Sequence, residues 1–185
     1  MTTQQITHDQ IKSLGTQTIW IPAVAMYPRI SNGAAWGSVE TAVNLIALKT
    51  LDFDAASTEY AQFCIAMPAS WNEGTITAAF HWSHAATDTN FGTSFGLQAV
   101  ALSDGDALDT AFGTAQYVVD TGGTTDDIYK SSTTAAITIA GTPAAEDYVV
   151  FQVLRKHDEA GDTLAVDARL HGVTLYYATE AVSDV

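Results

Sequence analysis

The sequence from Tyr148 to Ala178, YVVFQVLRKHDEAGDTLAVDARLHGVTLYYA, decides the fold class. Apolar side chains fall at every second position in its first and last parts, and these positions are Val149, Phe151, Val153, Val173, Leu175 and Tyr177. The positions between them are mixed or polar. Such alternation is expected of strands that turn one side of a sheet toward a core. The stretch therefore predicts two β-strands of a sandwich, joined by an acidic loop at residues 157–162.

Similar alternating segments, separated by Gly and Pro, run through most of the chain. They predict about eight to ten strands and no strand–helix–strand units. Residues 60–67 and 75–83 are expected to form a hairpin, with Trp82 in the core. The other predicted strands cover residues 17–25, 43–53, 95–102, 115–120 and 135–140. We therefore predict an all-β, single-domain antiparallel β-sandwich, jelly-roll-like, over residues 17–185.

Residues 1–16 are predicted to form a short N-terminal arm ahead of the sandwich. The segment Thr7-His8-Asp9-Gln10 has the spacing of a capping box, and Gly15 is a suitable stop for one or two helical turns. So short a helix is marginal unless its apolar side chains dock on something. We expect Ile6, Ile11 and Leu14 to anchor the arm on a neighbouring subunit or another protein.

The charge balance argues against several classes of partner. Seven Lys plus Arg stand against 21 Asp plus Glu, giving a formal net charge of −14. That charge repels phosphate backbones and anionic lipid, so neither nucleic acid nor a membrane is an expected partner. Only 15% of the residues are charged, below the roughly 25% of typical soluble domains. The low fraction favours a surface partly covered by other subunits, and a homotrimer is the expected assembly.

The start of the chain and its single cysteine bear on compartment and redox chemistry. The first residues lack the features of a signal peptide, and no apolar run approaches the roughly 20 residues that span a bilayer. Folding in the cytoplasm is therefore expected. Cys64 lies in the apolar run Phe63-Cys64-Ile65, which favours a buried, unreactive thiol. We predict no cofactor.

Two short motifs could carry catalytic or metal chemistry, and each has a simpler structural explanation. Gly92-Thr93-Ser94-Phe95-Gly96 matches the nucleophile elbow G-x-S-x-G, but the residues that follow are strand-like, where the elbow needs a helix. His81 and His84 would point to opposite faces of a strand, so a shared metal ion is not expected; His81 should be solvated and His84 should lie in a turn. No catalytic and no metal-binding residue is predicted.

The acidic clusters contain the type of oxygen ligand that calcium uses. They are Asp104 with Asp106 and Asp109, Asp126 with Asp127, and Asp158 with Glu159 and Asp162. None has the spacing of a known calcium loop, and Asp is also a standard turn residue. Solvated turn carboxylates are the favoured interpretation, and calcium binding stays open.

Four tryptophans raise the question of a sugar platform. Trp36 and Trp71 fall in turn-like segments, whereas Trp20 and Trp82 fall in predicted strands. Large aromatic rings are enriched both in cores and at subunit contacts. Trp36 and Trp71 are therefore candidates for a ligand site or for an interface, with burial or an interface the favoured interpretation.

Several short segments resemble a family of small virion proteins encoded by tailed phages and by phage-like gene transfer agents. The matching segments are Trp20-Ile21-Pro22-Ala23 with Met26, Leu51-Asp52-Phe53-Asp54, residues 63–68 with Trp71 and Gly74-Thr75-Ile76-Thr77, and residues 162–164, 167–170 and 172–173. The resemblance implies a non-enzymatic β-sandwich subunit of the particle, located on its head or its tail. It implies no catalytic or binding residue.

The main hypothesis is thus a structural protein of a bacteriophage virion that is made and assembled in the host cytoplasm. It would act as a capsid decoration (cement) protein or as a tail fibre or spike component. Its partners would be copies of itself and capsid or tail proteins, and contacts made only in the assembled particle would stabilise that particle. The alternative is a carbohydrate- or receptor-binding module of a phage tail or spike, with a host glycan as ligand.

Overall fold

The computed structural model describes residues 15–87 and 89–180. In this part of the chain the strands are β1 Thr16–Pro22, β2 Tyr27–Pro28, β3 Ala35–Glu40, β4 Ala47–Phe53, β5 Glu59–Ala66, β6 Thr77–Ser83, β7 Phe91–Leu102, β8 Gln116–Gly122, β9 Tyr129–Lys130, β10 Tyr148–Arg155 and β11 Ala168–Ala178. The one helical element among these residues is a 3-10 turn at Ala23–Ala25. None of the helical structure described could span a membrane.

The strands form two antiparallel sheets packed face to face. Sheet A has the order β3-β4-β11-β6-β9, with β1 also paired to β11, and sheet B has the order β2-β5-β10-β7-β8. The chain passes repeatedly from one sheet to the other, as in a jelly roll. The predicted all-β antiparallel sandwich is confirmed. The predicted boundary between the arm and the sandwich stays a prediction.

Strand β11 organises sheet A because three strands pair with it. Strand β6 lies along one edge, while the other edge is shared by β4, opposite Ala168–Leu170, and β1, opposite Gly172–Ala178. The register shifts between Leu170 and Gly172, where the neighbour changes. A bulge at this point lets one long strand serve two partners.

The core lies between the sheets and is built from the alternating positions identified in the sequence. Val149, Phe151, Val153, Val173, Leu175 and Tyr177 are all buried, so the faces predicted for β10 and β11 are confirmed. Aromatic rings join the layers: Phe80 of sheet A stacks on Phe95 of sheet B with ring centroids 5.3 Å apart. Trp82 is fully buried, as predicted. Burying each such ring stabilises the fold by roughly 1.5–3 kcal/mol.

The predicted hairpin between residues 60–67 and 75–83 is wrong. Strand β5 belongs to sheet B and β6 to sheet A. The residues between them pass over one end of the core, where Met67, Trp71 and Ile76 are buried. Because these side chains fill the end of the sandwich, the connection crosses between the sheets and does not close a tight turn.

The strand predicted at residues 135–140 does not form either. This segment makes isolated bridges, from Ile137 to Ile76 and from Ala140 to Val100. It therefore reaches from the region of sheet A to sheet B, and its alternating Ile137 and Ile139 point into the core without a full ladder of hydrogen bonds. Alternation alone does not distinguish such a core-lining segment from a strand.

Candidate functional site

The outer face of sheet B carries a row of side-chain amides. Gln62 of β5 lies opposite Gln152 of β10, and Gln152 lies opposite Gln98 of β7. The Gln62 Nε2 donates a hydrogen bond of 2.9 Å to the Gln152 Oε1. These three residues, the amide row, cross the middle of the sheet at right angles to the strands. Amides both donate and accept hydrogen bonds, so the row can satisfy polar groups of either kind.

Tyrosines surround the amide row on the same face. Tyr27 of β2 lies opposite Gln62, Tyr60 and Tyr117 lie in the next row on one side, and Tyr148 lies two rows away on the other. The centre is more buried than the edges: Gln152 is 2% exposed, whereas Tyr27 is 46% and Tyr148 is 53% exposed. We call the amide row and these four tyrosines the amide–tyrosine face. Its centre consists of polar side chains, and its edges carry the more exposed aromatic rings.

Glycine fixes the position of one of these rings. Gly96 of β7 lies opposite Tyr117, and a Cβ atom at Gly96 would stand 2.5 Å from the Cδ1 of Tyr117. The ring therefore lies across Gly96 toward the centre of the face. Partial burial raises the pKa of Tyr117, and the neighbouring Lys156 acts in the opposite direction. The phenol is neutral at physiological pH and can donate a hydrogen bond.

At the other end of the face, Tyr27 and Tyr148 approach Cys64. The Tyr27 hydroxyl lies 3.1 Å from the Cys64 Sγ. Partial burial, followed by this contact, raises the pKa of Tyr27 far above its ordinary range, and the hydrogen bond to Cys64 raises the pKa of Tyr148. Cys64 is half-buried on the outer face, so its thiol is less buried than predicted. Alternation along β5 turns Cys64 outward between the inward Phe63 and Ile65.

A groove lies at the β2 edge of the face. It has a volume of about 530 Å³ and is lined by Tyr27, Pro28, Arg29, Ile30, Ser31 and Gln62. The Arg29 guanidinium lies over the Tyr60 ring, 3.8 Å from its centroid. Gln62 belongs to both the groove and the amide row, so the groove continues the face.

A buried ion pair holds the loop at the opposite edge. Arg155 donates from Nε and Nη2 to the two carboxylate oxygens of Asp162, at 2.9 and 2.7 Å, and neither side chain is more than 2% exposed. Its remaining donors go to the carbonyls of Phe53, Val166 and Leu164. The prediction that Asp162 is a solvated turn carboxylate is therefore wrong.

The two tryptophans predicted as candidates for a ligand site or an interface differ in exposure. Trp71 is fully buried, which agrees with the favoured interpretation of burial and removes it as a ligand-site candidate: the segment that carries it folds over the end of the core. Trp36 is 54% exposed, but it lies in edge strand β3 of sheet A and not in a turn. It is not part of the amide–tyrosine face. The predicted anchor residues Ile6, Ile11 and Leu14 lie outside the described residues.

The serine of the G-x-S-x-G motif is not set up as a nucleophile. Ser94 is fully buried in the middle of β7. Its hydroxyl is therefore not raised on the sharp turn that the motif forms in hydrolases.

The two histidines have different environments from those predicted. His81 is half-buried, with its Nε2 3.2 Å from the Thr174 Oγ1 and its ring against Trp20. His84 is fully buried beside Phe91 and Tyr129, because the residues after β6 fold inward. Across residues 15–87 and 89–180, no group of three or more His, Cys, Asp or Glu side chains is arranged to hold a metal ion.

Sequence reasoning missed the amide row and its tyrosines. The available signal was a glutamine at an outward position of an otherwise apolar strand, which occurs in β5, β7 and β10. A buried amide in such a place needs a partner, which makes it a sign of a polar site.

The chain matches no protein-family model, and no curated protein resembles it in sequence. Among solved structures it is similar to the xylan-binding module CBM15, with a TM-score of 0.48 and 16% identity over 90% of this chain and 100% of that one. It is also similar to a cycloisomaltooligosaccharide glucanotransferase of Paenibacillus sp., with a TM-score of 0.43 and 13% identity over 80% of this chain but 18% of that one. A third is the structure of infectious bursal disease virus Gx strain, with a TM-score of 0.35 and 9% identity over 92% of this chain and 34% of that one. Similarity at this level assigns no function to the chain.

Proposed function

We propose that the chain is a carbohydrate-binding module and that the amide–tyrosine face is its binding site. The observation that carries the proposal is the amide row between tyrosines on one open sheet face. Sugars present hydroxyl groups around their edges and C–H groups on their ring faces. Amides hydrogen-bond the hydroxyls, and neutral phenol rings offer a flat apolar surface with a polar tip.

The dimensions of the face suit a chain of sugars. The row from Tyr60 through Leu154 and Gly96 to Tyr117 crosses four strands. With strands about 4.8 Å apart, that row is about 14 Å long. An oligosaccharide lying across the strands would contact the amide row along its length, whereas a single sugar would contact only part of it.

Calorimetry with a panel of neutral and acidic oligosaccharides tests the proposal. Tyr117→Ala and Gln98→Ala should each weaken binding by about tenfold, because each removes a direct contact without opening the core. Trp36→Ala is the matched control, since Trp36 is exposed on sheet A. If nothing in the panel binds, or if only the Trp36 variant loses affinity, the proposal is wrong.

A second candidate function is a subunit of a bacteriophage particle, supported by a different surface. The ends of β3 and β4 form a ribbon, because Ala47–Thr50 pair with β3 while β11 pairs with β4 only at Leu51–Phe53. Its tip exposes Val43, Leu45 and Ile46. Exposed apolar side chains on an ordered ribbon favour contact with another protein.

The tip of this ribbon is held in one conformation. The Thr41 amide donates a hydrogen bond of 3.1 Å to the Ile46 carbonyl, and the Ile46 amide donates one of 2.9 Å to the Thr41 Oγ1. The Thr41 carbonyl accepts a third, of 3.0 Å, from the Leu45 amide. The partner would be a capsid or tail protein or another copy of the chain. Incorporation of ribbon variants into particles tests this candidate, and it is independent of glycan binding.

A further inference from the structure

Arg29 has no ionic partner within residues 15–87 and 89–180, although the protein is strongly acidic. Arg155, Lys156 and Arg169 each pair with a carboxylate, on Asp162, Glu159 and Asp126 respectively. No described carboxylate lies within ion-pair distance of Arg29. Lys49 and Lys130 likewise form no ion pair with a described carboxylate, so what distinguishes Arg29 is its fixed position at the edge of the groove.

The guanidinium is held in place by groups that leave its outer edge free. It lies 3.8 Å from the centroid of the Tyr60 ring, and its Nε donates a hydrogen bond of 2.8 Å to the Ser31 carbonyl. Neither terminal nitrogen has an acceptor among the residues that the structure describes. Stacking on an aromatic ring attracts a cation and restricts its motion, which lowers the entropic cost of binding an anion.

The backbone that carries Arg29 is also fixed. The amides of Arg29 and Ala34 both donate to the Tyr60 carbonyl, at 3.2 and 3.1 Å, and the Tyr60 amide donates to the Asn32 carbonyl at 2.8 Å. Gly33 closes this turn, since a Cβ there would overlap the Arg29 carbonyl oxygen. The hydrogen-bonded turn and the Tyr60 ring therefore together fix the position of the Arg29 guanidinium at the edge of the groove.

We infer that Arg29 forms a subsite for the carboxylate of an acidic sugar within the bound glycan. This inference rests on the proposed function and names the class of its ligand: an oligosaccharide that contains hexuronate residues. The two terminal nitrogens of a guanidinium match the two oxygens of a carboxylate, which gives a bidentate ion pair. Tyr27 and Gln62 line the same groove and carry polar groups of the kind that hydrogen-bond the hydroxyl groups of a sugar.

Because the protein is acidic overall, binding of a uronate would depend on contacts at Arg29 and not on long-range attraction. A protein of net charge −14 repels polyanions at long range, so it has no general attraction for acidic polymers. Binding of a uronate then depends on one placed cation and on the neutral contacts of the amide–tyrosine face.

The test compares oligogalacturonate and alginate oligomers with the same oligomers after reduction of their carboxyl groups to alcohols. We expect at least one uronate oligomer to bind, and carboxyl reduction to weaken that binding tenfold or more. Arg29→Gln should weaken binding of the uronate form by a similar factor and leave the reduced form unchanged. Arg29→Lys should recover only part of the loss, because it keeps the charge without the planar fork.

Arg169→Gln is the matched control, since Arg169 pairs with Asp126 in another part of the molecule. Thermal unfolding of each variant checks that the fold is retained. If the reduced and uronate forms bind equally and Arg29→Gln changes neither affinity, the inference is overturned and the proposed function stands. If sulfated oligomers bind more tightly than uronate oligomers, the inference is likewise overturned and the proposed function stands. If no oligosaccharide binds, charged or neutral, the proposed function fails as well.

Discussion

The Arg155 guanidinium and the Asp162 carboxylate face each other in a bidentate ion pair that solvent does not reach. The same carboxylate accepts a hydrogen bond of 2.9 Å from the Ser94 amide. The pair thus connects the end of β10, the loop after it and strand β7. Because Lys156 follows Arg155 and lies near Tyr117, the pair also fixes one edge of the amide–tyrosine face.

Breaking this pair should destabilise the fold severely. Asp162→Ala leaves a buried guanidinium without its counter-ion, which typically costs about 3–5 kcal/mol. Urea unfolding monitored by tryptophan fluorescence measures the loss. Asp158→Ala, at an exposed position of the same loop, is the matched control and should change stability by less than about 0.5 kcal/mol. Equal effects of the two substitutions would contradict the structural role of the pair.

Stability should fall as the pH is lowered below the ordinary pKa of histidine. Burial lowers the pKa of His84, His81 and His171, so between their folded and unfolded pKa values the unfolded chain binds more protons. The free energy of unfolding therefore decreases with decreasing pH from about 6.5 downward. Each histidine contributes a slope of at most about 1.4 kcal/mol per pH unit.

His84→Phe should remove part of this slope, since His84 lies among Phe91 and Tyr129 and its Nε2 has no described hydrogen-bond partner. Unfolding free energies at pH 8, 7, 6 and 5 for both proteins provide the comparison. An unchanged slope in the variant would show that His84 does not contribute.

Gly96→Ala should lower glycan affinity without unfolding the protein. The new Cβ would stand 2.5 Å from the Tyr117 ring, and this ring is exposed enough to move away. We expect a several-fold loss of affinity by calorimetry and a small change in melting temperature. Gly123→Ala is the control: its nearest neighbour, the Tyr129 hydroxyl, lies 3.2 Å from the added Cβ and outside the face. Unchanged affinity in Gly96→Ala would remove Tyr117 from the site.

Leu45→Asn should weaken any protein contact of the ribbon and keep the fold. Leu45 has a φ of 54°, in the left-handed region that Asn tolerates better than Leu. The substitution removes an exposed apolar side chain and relieves backbone strain, so stability should stay the same or rise by up to about 1 kcal/mol. Light scattering at high protein concentration and incorporation into particles measure association. Unaltered association, together with a retained fold, would exclude Leu45 from an interface.

Period-two alternation predicted the fold well because it reports the side of a sheet that faces the core. That is why Val149, Phe151 and Val153 were assigned correctly from the sequence. The amide row could not be found in this way, since it depends on the register between strands that are distant in the chain. Asp162 was misassigned because an aspartate after glycine looks like a turn residue, and only the tertiary structure supplies Arg155. For Trp71 the sequence left burial and a ligand site both open, because a Pro-containing connection can cross the core as well as turn at the surface.

Nuclear magnetic resonance of the side-chain amide groups, during titration with an oligosaccharide, tests directly whether the amide–tyrosine face binds glycan. We expect saturable shifts of the NH₂ resonances of Gln62, Gln98 and Gln152, with those of Asn44 at the ribbon tip unchanged. In Tyr117→Ala the same shifts should require about tenfold more ligand to saturate. Saturable binding that moves Asn44 and leaves all three glutamine amides in place would contradict the assignment of the site to the outer face of sheet B.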